Sequence, residues 1–214
     1  MQLGPRVITS FSSISQRHFS DLLLFGVTAV ELTYLCVETP IFTIADWIYL
    51  LQHLLVLGIA LTRVPAEVQD RPVRTALAVV VSYAYPYAQI IYLDRVPGHV
   101  AWPAGGLLLV TLSACFSFAS LLALGRRFGV RPAMRGLAMR GPYRLVRHPM
   151  YLAYVLGDIG YNLEEWNKGT ALMVLTGWLA LIWRICAEER ILSQDARWAA
   201  YHDLVKYRLI PGVW

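Results

Sequence analysis

The sequence predicts an all-α, polytopic membrane protein of about six transmembrane helices, on three observations. Hydrophobic residues occupy 57% of the 214 positions and charged residues only 15%, with a mean hydropathy of +0.50, too little charge to cover a water-facing surface. Six apolar runs approach the roughly 20 residues a helix needs to cross the hydrocarbon core: Leu22 to Val37, Ile44 to Leu61, Val73 to Leu93, Trp102 to Leu124, Tyr151 to Leu163 and Thr170 to Ala187. If all six cross, every one of the 19 Lys and Arg except Arg95 and Lys168 falls on one side. The positive-inside rule makes that side cytoplasmic, together with both termini.

The first run follows a polar segment containing Arg6, Arg17 and His18. No small-residue cleavage site follows it, so it is expected to remain as an anchor. It carries Glu31. The second carries Asp46, Tyr49 and His53 at spacings of three and four, which share one helical face. Ionisable groups at membrane depth are costly and turn toward protein or water, so these either fix helix packing or line an acceptor pocket. In the third run Pro86 is expected to kink the helix, and Tyr85, Gln89 and Tyr92 share a face. An aromatic belt or core packing accounts for them more simply than a cavity does. The fourth is uncharged and rich in small residues around Gly105-Gly106, as in a close-packing helix. The fifth is short and carries Asp158, but unless it crosses, the basic tail lands on the wrong side. Cys36, Cys115 and Cys186 have no metal-type spacing and read as small core residues.

Between the fourth and fifth runs lies Arg140-Gly141-Pro142-Tyr143-Arg144-Leu145-Val146-Arg147-His148-Pro149-Met150-Tyr151. Pro149 suits the first turn of a helix, which lacks any use for its missing N–H. His148 then stands at the helix mouth, where free N–H groups favour an anionic or electron-rich ligand. A Gly141-Pro142 turn brings Tyr143 back toward the same mouth. Further along, Tyr151, Asp158 and Asn162 fall in one arc. The sixth run ends with Arg184 and Glu188 stacked four apart and Glu189 turned aside. Taken alone this is an interfacial ion pair; beside the His148 segment it completes a polar pocket. No G-x-G-x-x-G after a strand, Walker loop, H-E-x-x-H or G-x-S-x-G is present. The arginines face an anionic leaflet rather than nucleic acid.

Gly141-Pro142-Tyr143, Arg147-His148-Pro149-Met150-Tyr151, Arg184 with Glu188-Glu189, Tyr201 and Arg208-Leu209-Ile210-Pro211 together resemble the isoprenylcysteine carboxyl methyltransferase family of integral membrane enzymes. The likeness covers Arg126 to the carboxyl terminus. It implies a cytoplasmic-side S-adenosylmethionine pocket built by the carboxyl-terminal half, without a Rossmann domain. By that resemblance the cofactor is bound by Tyr143, His148, Pro149, Met150, Tyr151, Glu188 and Glu189, with Arg135, Leu137 and Ala138 matched by spacing alone. Arg184 corresponds to the family's acceptor-associated arginine, and Arg184 and Glu188 are the catalytic candidates. The chain then forms a single membrane domain over 1–214: a four-span scaffold and acceptor-side half at 1–124, and a cofactor-binding half at 125–214.

The chemistry implied is displacement at the methyl of a sulfonium, which needs alignment and charge management. Arg184 is suited to an acceptor carboxylate, and Glu188 to ribose hydroxyls or the sulfonium. No residue is evidently poised as a base, which favours carboxylate or thiol acceptors over amines. A lipophilic or small acceptor arriving through membrane lipid is expected; its identity and the oligomeric state are not legible. Two rivals stand beside this reading. Sterol reductases share a similar Arg-His-Pro-x-Tyr feature, implying a nicotinamide-dependent membrane reductase, and a non-catalytic lipid-binding protein is the other.

Overall fold

The computed structural model describes residues 43–70 and 73–214, together with the helical positions 26, 28, 29, 32, 33 and 37. The rest of the first apolar run, with Glu31 and Cys36, lies outside the described residues. Six helices follow: α1 (Ile44–Thr62), α2 (Val73–Arg95), α3 (Pro103–Leu124), α4 (Pro149–Glu164), α5 (Lys168–Leu192) and the short α6 (Trp198–Leu204). Four of them, α1, α2, α5 and α3 with its 3-10 extension to Arg127, are long and apolar enough to cross a membrane. The protein is an all-α polytopic membrane protein.

Hydropathy sets the interior of each helix, and local chemistry sets its ends. Thr43 caps α1 in a capping box with Asp46, whose Oδ2 accepts from the Thr43 backbone N–H at 2.7 Å and hydroxyl at 2.6 Å. Pro103 and Pro149 occupy the first turns of α3 and α4. Asn167 caps α5 through the N–H groups of Gly169 and Thr170.

Two antiparallel pairs organise the bundle. In the α2/α5 pair, Gly169 lies against Tyr92 and Gly177 against Tyr85, with added β-carbons falling 2.6 and 2.5 Å from the rings. In the α3/α4 pair, Gly106 and Gly160 bring the backbones into direct contact, and Ser113 Oγ donates to the Ala153 carbonyl at 2.6 Å. α1 runs alongside α3, with Ala45 packed near Val110 and Ala114, and Val56 near Leu121.

At 16 residues, α4 is about 24 Å long. It nevertheless runs from the loop-rich end of the bundle to the opposite end, where Trp102 N–H donates to the Leu163 carbonyl at 2.8 Å and His99 pairs with Trp166. Its start is buried: His148, Pro149 and Met150 lie beneath the segment joining α3 to α4. That segment is pinned over the bundle by strand β2 (Ala133–Met134), antiparallel to β1 (Val68–Gln69), and by Arg126, which bonds the Thr62 carbonyl.

Outside, Leu108, Leu112, Leu172, Leu175 and Leu179 are exposed, the surface expected against lipid chains. Cys115 and Cys186 are free and also exposed. This corrects their reading as core residues: an apolar sequence context says nothing about which face of a membrane helix a residue occupies.

Candidate active site

The turn before α4 takes the shape its sequence suggests. Gly141 has φ +57°, a left-handed conformation that favours glycine, and opens a 3-10 turn over Gly141–Arg144. Tyr143 is thereby buried, and its carbonyl accepts from the Tyr201 hydroxyl at 2.9 Å. Burial pushes the Tyr143 hydroxyl well above its ordinary range and the Tyr201 hydroxyl up to about 12, so both stay protonated donors near neutrality. His148 precedes Pro149 at the helix mouth. Its ring stacks on Tyr151 at 5.6 Å, with Nε2 3.3 Å from Glu189 Oε1 and Nδ1 3.7 Å from Glu188 Oε2.

Glu188 and Glu189 are adjacent but do different work. Glu188 is half-buried and faces His148 on the cavity wall. Glu189 is buried, and its carboxylate accepts from Arg147 Nε at 2.8 Å and Arg208 Nε at 2.7 Å. Arg147 also donates through Nη1 to the carbonyls of Val205 and Lys206 at 2.8 Å, so this network fastens the tail behind the helix mouth.

Arg184 is buried, and among the described residues no carboxylate is in salt-bridge contact with it. Its Nη1 donates to Ser82 Oγ at 2.8 Å and Nη2 to the Val130 carbonyl at 3.0 Å. Its guanidinium carbon lies 5.3 Å from the Tyr83 ring centre and 5.2 Å from that of Tyr151. Among the described residues its Nε, fully buried, meets no hydrogen-bond acceptor. Aromatic faces and neutral dipoles stabilise such a cation only in part. A ligand anion would complete its coordination.

Two cavities meet here. The smaller, about 770 Å³ including its open side, opens at the loop-rich end and is lined by Arg135, Leu137, Ala138, Tyr143, His148, Met150, Tyr151, Arg184 and Glu188 of the expected residues. Pro149 and Glu189 stand behind that lining. The cavity also takes in Tyr83, Arg127, Arg131, Tyr154 and Tyr201. Of these, Arg127 and Arg131 are legible in the sequence only as topology charges, and Tyr83 only as part of an aromatic cluster. Gly136, at φ +86°, turns the chain along its wall.

The larger cavity, about 2280 Å³ including its open sides, runs between α1, α2, α3, α4 and α5. Asp46, Tyr49 and His53 line it together, as do Tyr85, Gln89 and Asp158. Tyr83, Phe128, Met150, Tyr154 and Arg184 belong to the walls of both cavities.

Comparison with known proteins points to one class. Residues 102–195 match the phospholipid methyltransferase family, so the carboxyl-terminal half is similar to membrane methyltransferases, in line with the resemblance carried by its motifs. The protein-S-isoprenylcysteine O-methyltransferase A of Arabidopsis thaliana is 26% identical over 125 residues, which span 56% of this chain and 64% of that protein, just under two thirds of its length. The family match runs from α3 to just beyond α5. It takes in His148, Arg184 and Glu188 and leaves out α1, α2 and the tail.

Proposed function

We propose that this chain is an S-adenosylmethionine-dependent membrane methyltransferase acting on a lipophilic or small acceptor, with its cofactor site facing the cytoplasm. The observation that carries the reading is the pair of cavities joined at Arg184. One is rimmed by polar and aromatic groups at the loop-rich end, the other lies between the membrane helices. The names of both matched groups favour methyl transfer over nicotinamide chemistry.

The residues of the smaller cavity suit S-adenosylmethionine. Arg131, whose buried Nε meets no hydrogen-bond acceptor among the described residues, and Arg127 offer charge for a carboxylate. Tyr143, Tyr151 and Tyr154 present aromatic faces to a sulfonium or a base, and Glu188 is available for hydroxyls or positive charge. His148 and Met150 complete the floor, with the wall at Arg135, Leu137 and Ala138. Glu189 and Pro149 position this machinery from behind. When bound, the cofactor supplies an electrophilic methyl group.

On the acceptor side, Arg184 holds the nucleophile's negative charge where the two cavities meet. Carboxylate or thiolate suits it better than an amine, because a carboxylate is already ionised near neutrality and a thiol nearly so, whereas an amine must first lose a proton. The low-dielectric surroundings strengthen the pairing, and Tyr83 and Tyr151 keep the guanidinium from rotating away. The acceptor-side scaffold at 1–124 contributes Ser82, Tyr83 and the residues of α1, and the half at 125–214 contributes the cofactor wall.

Calorimetry on detergent-solubilised protein tests the reading. Saturable binding of S-adenosylmethionine, with none of reduced nicotinamide dinucleotide phosphate, is expected. Binding of only the nicotinamide would overturn it in favour of a reductase, and binding of neither by folded protein would favour a non-catalytic lipid-binding role.

A further inference from the structure

The ionisable lining of the larger cavity is lopsided. Arg184 stands where it meets the smaller cavity and His53 lines it on α1, while the acidic residues Asp46, Asp158, Glu164 and Glu165 line it farther along. Asp46 and Glu165 have backbone tasks, accepting from Thr43 and from the Gly98 N–H. Asp158 does not. Its carboxylate is buried at 8% exposure and accepts from the Tyr85 hydroxyl at 2.8 and 2.7 Å and from Trp178 Nε1 at 2.7 Å. Among the described residues no Lys, Arg or His pairs with it, and Asn162 reaches only its backbone carbonyl. A buried carboxylate is held in low dielectric at considerable cost unless a cation joins it or it takes up a proton. Neutral donors orient the group without neutralising it.

The separation of the two poles can be measured along two helices. Tyr151, which lies against Arg184, precedes Asp158 by seven residues on α4, and Trp178 precedes Arg184 by six on α5. At 1.5 Å per residue both give roughly 10 Å. Between them the wall includes Tyr154, Gly157 and Leu181.

We propose that the acceptor is an amphiphile with two polar ends, an anionic reacting group held at Arg184 and a protonated amine held at Asp158, whose carboxylate Tyr85 and Trp178 position. This rests on reading the larger cavity as the acceptor site. It deepens that reading by assigning the substrate class: a molecule with an apolar middle and a cationic group about 10 Å from the methylated one.

The test is calorimetric binding of an ω-amino alkanoic acid series and of the matching plain alkanoates to the solubilised full chain. Amino acids of about six to ten carbons, able to bridge roughly 10 Å, are expected to bind about tenfold or more tighter than the plain acids, the difference a charge-assisted hydrogen bond makes. In Asp158→Asn this advantage disappears while S-adenosylmethionine affinity is kept. Plain acids binding as well as their amino counterparts to the wild-type chain, or an advantage independent of length, would overturn the proposal without any variant. So would retention of the advantage in Asp158→Asn. Should that variant fail to bind the cofactor, Tyr85→Phe is used instead, with a several-fold loss of the advantage expected and no change refuting it. Absence of S-adenosylmethionine binding to the wild-type chain sinks the methyltransferase reading separately, whatever the amine series shows.

Discussion

Gly160→Ala tests whether the site depends on backbone contact between α3 and α4. A β-carbon added at Gly160 would sit 2.9 Å from the Gly106 carbonyl oxygen, 2.9 Å from the Val110 amide and 2.8 Å from Val110 Cγ2. Two of these three neighbours are backbone atoms, so no rotamer change relieves them. The helices must move apart by roughly half an ångström, at an overpacking cost of about 2–3 kcal/mol. Better helix propensity returns up to about 1 kcal/mol, leaving a net loss of about 1–2 kcal/mol. Gly58→Ala on α1 is the control, because no described atom lies within 4 Å of its added β-carbon; it should be neutral or slightly stabilising. Reversible unfolding of both variants in the same detergent measures the contrast. Equal stability of Gly160→Ala and wild type, or the same change in both variants, would refute the argument. Because α4 carries Tyr151 and Asp158, the Gly160 variant is also expected to weaken acceptor binding.

Other expectations follow from named contacts. Arg184→Gln should lower turnover by about a hundredfold or more, as for loss of a buried electrostatic contact, while S-adenosylmethionine affinity changes only a few-fold; equal loss of both would remove Arg184 from the acceptor side. Glu188→Gln should instead weaken cofactor binding by about tenfold, measured by calorimetry, and unchanged affinity would contradict its placement. Tyr201→Phe deletes the bond to the Tyr143 carbonyl and should cost about 1 kcal/mol in unfolding experiments. Burial raises the Tyr201 hydroxyl from its ordinary value of 10.0 to about 12, so its contribution is full below pH 10 and is lost as pH rises toward 12, where the unfolded chain ionises first. The alkaline loss of stability should therefore be smaller in Tyr201→Phe, and an identical slope would count against the assignment.

Helix positions were legible because hydropathy and end signals act locally: Val73, Pro103 and Pro149 begin helices close to where the apolar runs do. The mouth at His148 was legible for the same reason, since a Gly-Pro turn and a His-Pro helix start are short-range features. What escaped the sequence depends on partners distant along the chain. Arg184 meets Ser82 and Tyr83, about a hundred positions earlier, and no spacing within α5 announces them. Helical phase set Glu189 apart from Glu188 but could not name its partners, Arg147 before the fourth helix and Arg208 in the tail. Arg127 and Arg131 satisfied the topology rule completely, which masked their place on a cavity wall. The polar face of α1 left packing and pocket equally plausible, and Asp46 combines both, capping its helix while bordering the larger cavity.

The wall common to the two cavities bears on the order of events in turnover. Tyr83, Phe128, Met150, Tyr154 and Arg184 bound both spaces, so a ligand that settles these side chains on one side fixes the surface met by a ligand on the other. If both cavities bind ligands as proposed, the two binding events are thermodynamically linked, and whatever factor the first ligand imposes on the second is returned in equal measure. On the proposed function, acceptor affinity measured with and without S-adenosylmethionine would read that linkage directly.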